Sequence, residues 1–328
     1  MTAWRVHGHG EPRDVLRLVD DVEAPKPGPG QVLVRVRAAS VNFPDALLCR
    51  GEYQVRPPLP FTPGIETCGE VTGLGADVDE VAVGDRVIGS PTLPSGGFAE
   101  LTLMDAESCF PAPPALDDAE ASAFLVAYQT GWFGLHRRAG LRPGETLLVH
   151  AAAGGVGSAA IQLGKAAGAR VIGVVGGADK ARVARDLGAD EVVDRTSQDV
   201  IATVKELTGG LGADVVFDPV GGEAYTQSSK CVAFEGRILV VGFASGTIPT
   251  PPLGHALVKN YAIVGLHWGL YQRREPAAVR KAHDELSALA ADGVVKPLVS
   301  KRLGLADVAD GVQRVADGRT TGRVVVLP

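Results

Sequence analysis

The chain has 328 residues, a net charge of −6 and four cysteines, Cys49, Cys68, Cys109 and Cys231, with no CxxC pair. That length accommodates two domains with separate cores, and mild acidity without dense basic runs argues against a nucleic-acid partner. The scattered cysteines suggest neither a disulfide framework nor a clustered metal site. The charged start lacks an apolar signal segment and no uninterrupted stretch reaches membrane-span length, so a cytoplasmic chain without a membrane partner is expected.

The first third reads as β structure. Residues 31–39 (QVLVRVRAA) alternate apolar and polar, as a half-buried strand does. Shorter candidates at 66–71, 85–88 and 98–103 are separated by Pro and Gly turns, which describes a small, mainly antiparallel barrel. Pro111-Ala-Pro-Pro114 marks its exit, and 117–135 reads as one or two helices.

From residue 147 the pattern changes. The apolar run 147–150 leads into Ala152-Ala153-Gly154-Gly155-Val156-Gly157 and then a helix rich in small residues. Gly168 closes that helix before an apolar strand over 170–175. Strand, glycine turn and helix together form the first unit of a Rossmann-type nucleotide-binding domain. The turn allows backbone N–H groups to face a diphosphate at the helix N-terminus. Further units follow: helix near 180–187, strand at 191–193, helix near 198–207, and strands at 214–217 and 237–241. The β/α repeat is expected to end near Tyr261. The tail carries helices at 276–291 and 305–316 and a last strand at 323–327, which must pair with the first domain's sheet. The expected domains are therefore 1–122, 123–260, and a return to the first over 261–328, with the reacting site in the cleft between them.

The end of the second Rossmann strand distinguishes the nucleotides. An NAD site usually places an acid there to hold the ribose 2′-hydroxyl. Here the strand ends Val175-Gly176-Gly177, leaving room for a 2′-phosphate, and Lys180 can reach it by charge-assisted hydrogen bonds. Asp179 fits better as a first-turn helix residue. NADPH is the expected cofactor. A P-loop is excluded, because no glycine run leads into Gly-Lys-Ser/Thr.

Five stretches, ASVNFPDALLCRGEY (39–53), LPFTPGIETCGEVTGLG (59–75), VGDRVIG (83–89), HAAAGGVG (150–157) and VGFASGTIP (241–249), occur in one order and spacing. By these the chain resembles, over essentially its whole length, the zinc-free NADPH:quinone oxidoreductases (zeta-crystallin-like) of the medium-chain dehydrogenase/reductase superfamily. The resemblance implies a GroES-like barrel, a Rossmann domain, a homodimer or tetramer, and hydride transfer from NADPH to a conjugated carbonyl. Where zinc-dependent relatives carry a ligand Cys and a Gly-His-Glu, this chain has Asn42 and Gly64-Ile65-Glu66. A thiolate and an imidazole are thus replaced by an amide and a hydrocarbon, and the four-cysteine structural zinc loop is missing from 90–110; no metal is expected.

The resemblance places Asn42 and Asp45, three apart on a turn, near nicotinamide and substrate, with Asp45 fixing the loop. Tyr53 faces the acceptor, and Thr130 lies close to the nicotinamide. Leu47 stands where a second tyrosine is common, which leaves the proton donor open between a side chain and solvent. The cofactor residues are Ala153, Gly154, Gly155, Val156, Gly157, Gly176, Gly177, Lys180, Gly242, Phe243, Asn260 and Arg319, together with Arg195 where many relatives have a tyrosine. His267, Trp268 and Tyr271 line the acceptor pocket. Quinone or enone reduction is the leading reading. A short-chain 2-enoyl-CoA reductase, with Arg50, Arg56, Arg273 and Arg274 as candidate CoA-phosphate contacts, and a non-enzymatic NADPH-binding or redox-sensing protein are the alternatives.

Overall fold

A computed structural model describes all residues from Met1 to Pro328. The chain forms two compact units, residues 1–126 with 283–328, and residues 127–282.

In the first unit, β1 (Ala3–Val6) and β2 (Leu16–Val19) pair antiparallel. The main sheet has the order β13-β14-β3-β4-β5-β6, comprising β3 (Gln31–Val41), β4 (Thr67–Leu74), β5 (Arg86–Pro91), β6 (Leu101–Pro111), β13 (Val299–Gly304) and β14 (Arg323–Leu327). β6 also pairs back onto β3, from Gln31↔Asp105 to Arg35↔Leu101, which closes a four-strand barrel and hides edges that would otherwise be open. The last strand returns as the sequence requires: β14 lies antiparallel to β3, with Val324 opposite Val41 and Val326 opposite Ala39.

The alternation along β3 stops at Ala38, beyond which every residue is buried. Both faces are covered there. Ala38 packs with Val325 and with Ala119 and Ala123, on and just beyond the short helix α3 (Asp118–Ser122). Ala39 and Val41 join a core with Val308 and Val312 of α12 (Val308–Ala316). The segment after β3, expected as a turn, continues into helix α2 (Phe43–Arg50), with Asn42 as N-cap, Pro44 in its first turn and Gly51 as a left-handed C-cap at φ 72°.

The second unit is a six-stranded parallel sheet, order β12-β11-β10-β7-β8-β9, comprising β7 (Thr146–Val149), β8 (Arg170–Val175), β9 (Glu191–Asp194), β10 (Ala213–Asp218), β11 (Val232–Val240) and β12 (Ala262–Gly265). The repeat runs one strand past Tyr261, because β12 adds in parallel to β11, and the unit extends to Ala282 instead of ending at residue 260. Sequence order reverses at β7, with β8 and β9 on one side and β10 to β12 on the other. The loop after β7 therefore stands at the switch point of the sheet, where ligands bind in such folds. Helix α5 (Gly155–Ala166) starts from that loop and is buried from Gly157 to Gly164, while α6 (Ala178–Asp186) follows β8. Helix α4 (Leu125–Trp132) runs into a π-helical turn over Phe133–Arg138. Helices α1 (Pro12–Val15), α7 (Val200–Leu207), α8 (Glu223–Cys231) and α11 (Pro276–Ala291) fill the remaining connections, and no helix is long and apolar enough to cross a membrane.

Candidate active site

In the second unit the site is built from strand ends. β7 delivers His150, and the chain then turns through Ala151, which is left-handed at φ 48°, and Gly154, whose N–H donates to the Ala151 carbonyl at 2.8 Å. Ala153 and Gly154 form the turn, and Gly155, Val156 and Gly157 the first turn of α5, whose N–H groups have no acceptor within the helix. A Cβ on Gly157 would stand 2.2 Å from the Ala151 carbonyl oxygen, so the turn and the helix meet more closely than a side chain permits. His150 is buried, and its Nε2 is 2.8 Å from the Ser228 hydroxyl, which itself donates to the Ala224 carbonyl. Ser228 must accept from the ring, so burial, which pushes the imidazole below its usual pKa, keeps it neutral with Nε2 protonated.

β8 ends at Gly176 and Gly177, and α6 follows with Asp179 in its first turn, as expected. The Arg195 guanidinium lies against Gly176: a Cβ there would meet Nη2 at 3.1 Å and Nε at 3.4 Å. Lys180 stands beside it, held below the usual lysine value by burial and by the Arg195 charge. The nearby carboxylate of Asp194 is already occupied. Its Oδ1 accepts from Gly177 N at 2.8 Å and from Thr196 N and Oγ1, and these bonds hold it below the usual carboxylate range. This edge therefore carries two cations, Arg195 and Lys180, at the end of β8.

Asp218, at the end of β10, accepts from Val220 N and Gly221 N with one oxygen, at 2.8 and 2.9 Å. Phe243, after Gly242, packs over Gly221, where a Cβ would lie 2.8 Å from its ring. After β12 come His267, exposed at the N-cap of α10 (Trp268–Arg274), then buried Trp268 and half-buried Tyr271. Tyr271 stacks on Phe133 at 4.3 Å between centroids, and Arg137, paired with Glu275, lies over both rings. All of these occupy the same C-terminal edge of the parallel sheet as the glycine turn. Thr130 is buried within α4.

Asn260 is not brought to this edge. It precedes β12, whose Ala262 is paired with Arg237 and so lies level with Leu147, near the opposite end of the sheet from the glycine turn. It is the left-handed C-cap of α9 (Leu253–Lys259), φ 52°, and its carbonyl accepts from Glu235 N at 2.7 Å. Asn tolerates that conformation better than most residues, which accounts for its presence there.

In the first unit Asn42, Asp45 and Glu66 are buried together. Asp45 clamps the loops: Oδ2 accepts from Asn42 N at 2.8 Å and Oδ1 from Gly64 N at 2.9 Å. Burial outweighs these bonds and pushes its pKa up to about 7. Glu66 accepts from Val126 N at 2.8 Å and from the Asn42 amide at 3.0 Å. The Arg323 guanidinium, 6% exposed, donates to Asn42 Oδ1 and stands 4.0 Å from Glu66. Glu66 is still raised by burial, with Arg323 opposing. Tyr53 packs partly buried against the same core, its hydroxyl pushed up by burial and by Asp45. Arg319, exposed and 3.7 Å from Asp317, also belongs to this unit.

Arg323 is absent from the sequence-derived site. Its only signal is a lone charge heading the otherwise apolar strand Arg323–Leu327. It also bears on metal binding. No three His, Cys, Asp or Glu side chains converge anywhere, and the one carboxylate at the zinc-ligand positions is bonded to an amide and faces a guanidinium. That donor set does not fit zinc.

Two family models match: an alcohol dehydrogenase GroES-like domain over residues 28–114, and a zinc-binding dehydrogenase domain over residues 155–286. The chain is 39% identical to a quinone oxidoreductase-like protein 2 homolog of Nematostella vectensis, over 91% of this chain and 82% of that protein. It is 37% identical to a quinone oxidoreductase of Pseudomonas aeruginosa, over 94% of each. The Escherichia coli quinone oxidoreductase solved with NADPH superimposes with a TM-score of 0.93 at 31% identity, covering 100% of both chains. With the barrel, the parallel sheet and the glycine turn all in place, the chain belongs to the quinone oxidoreductase branch of the medium-chain dehydrogenase/reductase superfamily.

Proposed function

We propose that this protein is an NADPH-dependent, metal-independent reductase of quinones or α,β-unsaturated carbonyls. The observation that carries the cofactor choice is Arg195 lying flat on Gly176 beside Lys180, at the strand end where an NAD enzyme would carry an acid. A guanidinium there offers a planar fork to a phosphate and a face to an adenine ring. NADPH, when bound, supplies the hydride. The chain's part is orientation: first-turn amides of α5 hold the diphosphate, Phe243 and the backbone at Gly242 flank the nicotinamide end, and Thr130, Asn42 and Tyr53 serve the reacting groups. The raised Tyr53 hydroxyl stays protonated at neutral pH, so it can donate to an acceptor oxygen. A conjugated acceptor suits a site without a metal donor set, because it is already electron-poor.

The protein is also proposed to act as a homodimer, through the β12 edge of the second unit. Ile263 on that strand is 36% exposed, and Leu253, Leu257 and Val258 on the preceding α9 are each more than 70% exposed, a row of apolar side chains beside an open strand edge.

The test follows NADPH oxidation at 340 nm by purified, chelator-treated protein with 1,4-benzoquinone, 9,10-phenanthrenequinone and crotonyl-CoA in parallel. Turnover with the quinones supports the proposal. A clear preference for the CoA ester moves the protein to 2-enoyl thioester reduction, and turnover of none under saturating NADPH leaves a binding protein. Light scattering reads the dimer, which Ile263→Lys is expected to split.

A further inference from the structure

The Asn42 amide has four hydrogen-bonding sites: two N–H donors and two lone pairs on its oxygen. Both donors are engaged within the first unit, Nδ2 reaching Glu66 Oε2 at 3.0 Å and the Ser40 carbonyl at 3.2 Å. The oxygen accepts from Arg323 Nη1. The amide is therefore suspended between a carboxylate and a guanidinium, and that pair determines which way it points. Reversing it would set the oxygen against Glu66 and the N–H groups against Arg323, two like-sign contacts in a buried place where each costs most. Glu66 cannot turn away, because its other oxygen accepts from Val126 N at 2.8 Å.

We infer that Arg323 is a positioning residue for the reaction: with Glu66 it locks Asn42 so that only one carbonyl lone pair remains for the reactants, making Asn42 a hydrogen-bond acceptor and not an oxyanion donor. Its partner is then an O–H or N–H of a reactant, either a hydroxyl or carboxamide of the cofactor or the hydroxyl of a reduced acceptor. Stabilisation of negative charge on the acceptor falls to other groups. The inference rests on the reductase reading above, and deepens it by assigning the polarity of one contact.

The double variant Glu66→Gln with Arg323→Met separates positioning from charge balance. It removes both buried charges, so neither is left uncompensated. The introduced glutamine must keep its oxygen on Val126 N, which turns its NH2 toward Asn42 and makes the reversed amide the favoured one. The double variant is expected to melt close to the parent yet lose tenfold or more in one of two readouts. A rise in NADPH Kd, measured by tryptophan quenching, assigns the donor to the cofactor. A fall in quinone kcat/KM at unchanged NADPH Kd assigns it to the acceptor. Arg323→Lys, which keeps the charge and a donor, is expected to stay within threefold in both. A double variant that melts like the parent with both readouts within twofold, or with higher turnover, overturns the inference. A second measurement needs no variant of the charge pair: both side-chain amide protons of the parent's Asn42, assigned by their loss in Asn42→Ser, should be protected from exchange with D2O, and should stay protected on adding NADPH, because Glu66 and the Ser40 carbonyl hold them. An Asn42 amide with one proton that exchanges as fast as an exposed asparagine's overturns the inference as well. A parent that oxidises no NADPH with any acceptor defeats the reductase reading alone, and the amide exchange still decides this one.

Discussion

Gly157→Ala is the sharpest perturbation of the nucleotide edge. The new Cβ would meet the Ala151 carbonyl oxygen at 2.2 Å, the Ala151 carbonyl carbon at 2.9 Å and Ala152 Cα at 3.0 Å. All three are backbone atoms, so no side-chain rotation relieves the contact. Ordinary separations between such atoms are about 3.5 Å, and the turn must open by roughly 1 Å to restore them. Overpacking of this kind costs about 1–3 kcal/mol of stability. The larger loss falls on binding, because the displaced turn presents the diphosphate to the first N–H groups of α5. A hydrogen bond to a charged group contributes about 1.5–3 kcal/mol, so losing one weakens NADPH binding roughly ten- to a hundredfold. Gly154→Ala is the control. It stands in the same turn with φ −88°, open to any residue, and its Cβ would meet only the Ala151 oxygen at 3.1 Å and Cβ at 4.0 Å. Tryptophan quenching by NADPH measures both, with thermal melts alongside. Gly157→Ala binding within threefold of the parent, or Gly154→Ala failing equally, refutes the reasoning.

The remaining predictions concern charge. Arg195→Ala and Lys180→Ala should each weaken NADPH binding about tenfold, leave NADH binding nearly unchanged and flatten the salt dependence of NADPH affinity; an equal loss for both nucleotides places these cations away from the 2′-phosphate. Asp45, fully buried, has a folded pKa raised to about 7 against the ordinary 3.8. Its contribution to stability is therefore full below the ordinary value and declines as pH rises through about 7, a change of roughly 4 kcal/mol at most. Asp45→Asn removes the titration and one acceptor, so its penalty in urea unfolding should shrink steadily from pH 4.5 to pH 8. A penalty constant across that range shows that Asp45 does not titrate there. Breaking the surface pair of Arg182 and Asp179, both more than 70% exposed, should change stability by less than about 0.5 kcal/mol, read as an unchanged midpoint.

The features legible in the sequence are those whose cause is local. Alternation over residues 31–39 reflects a strand with one face in a core, and the run ending at Gly157 reflects a close turn that only small residues can make. β14 is legible because a run of four apolar residues, Val324 to Leu327, must pair somewhere, and it pairs with β3. The segment at Asn42 reads as a turn because N-F-P-D suits both a turn and a helix start; burial of Ala46 and Leu48 against α12 decides for the helix, and that is a tertiary fact. β12 escapes notice because its side chains are mostly exposed, leaving no periodicity to read. Asn260 misleads for a related reason: its place in the sequence is near a binding edge, but a parallel strand separates its two ends by its own length. Arg323 shows the deeper limit. It lies 281 residues from Asn42 in the chain, and its meaning comes only from the carboxylate and amide it meets once β14 has paired with β3. Seen alone it is a charge at the edge of an apolar strand. Seen beside Glu66 it fixes the direction of an amide, and with it which partner that amide can serve.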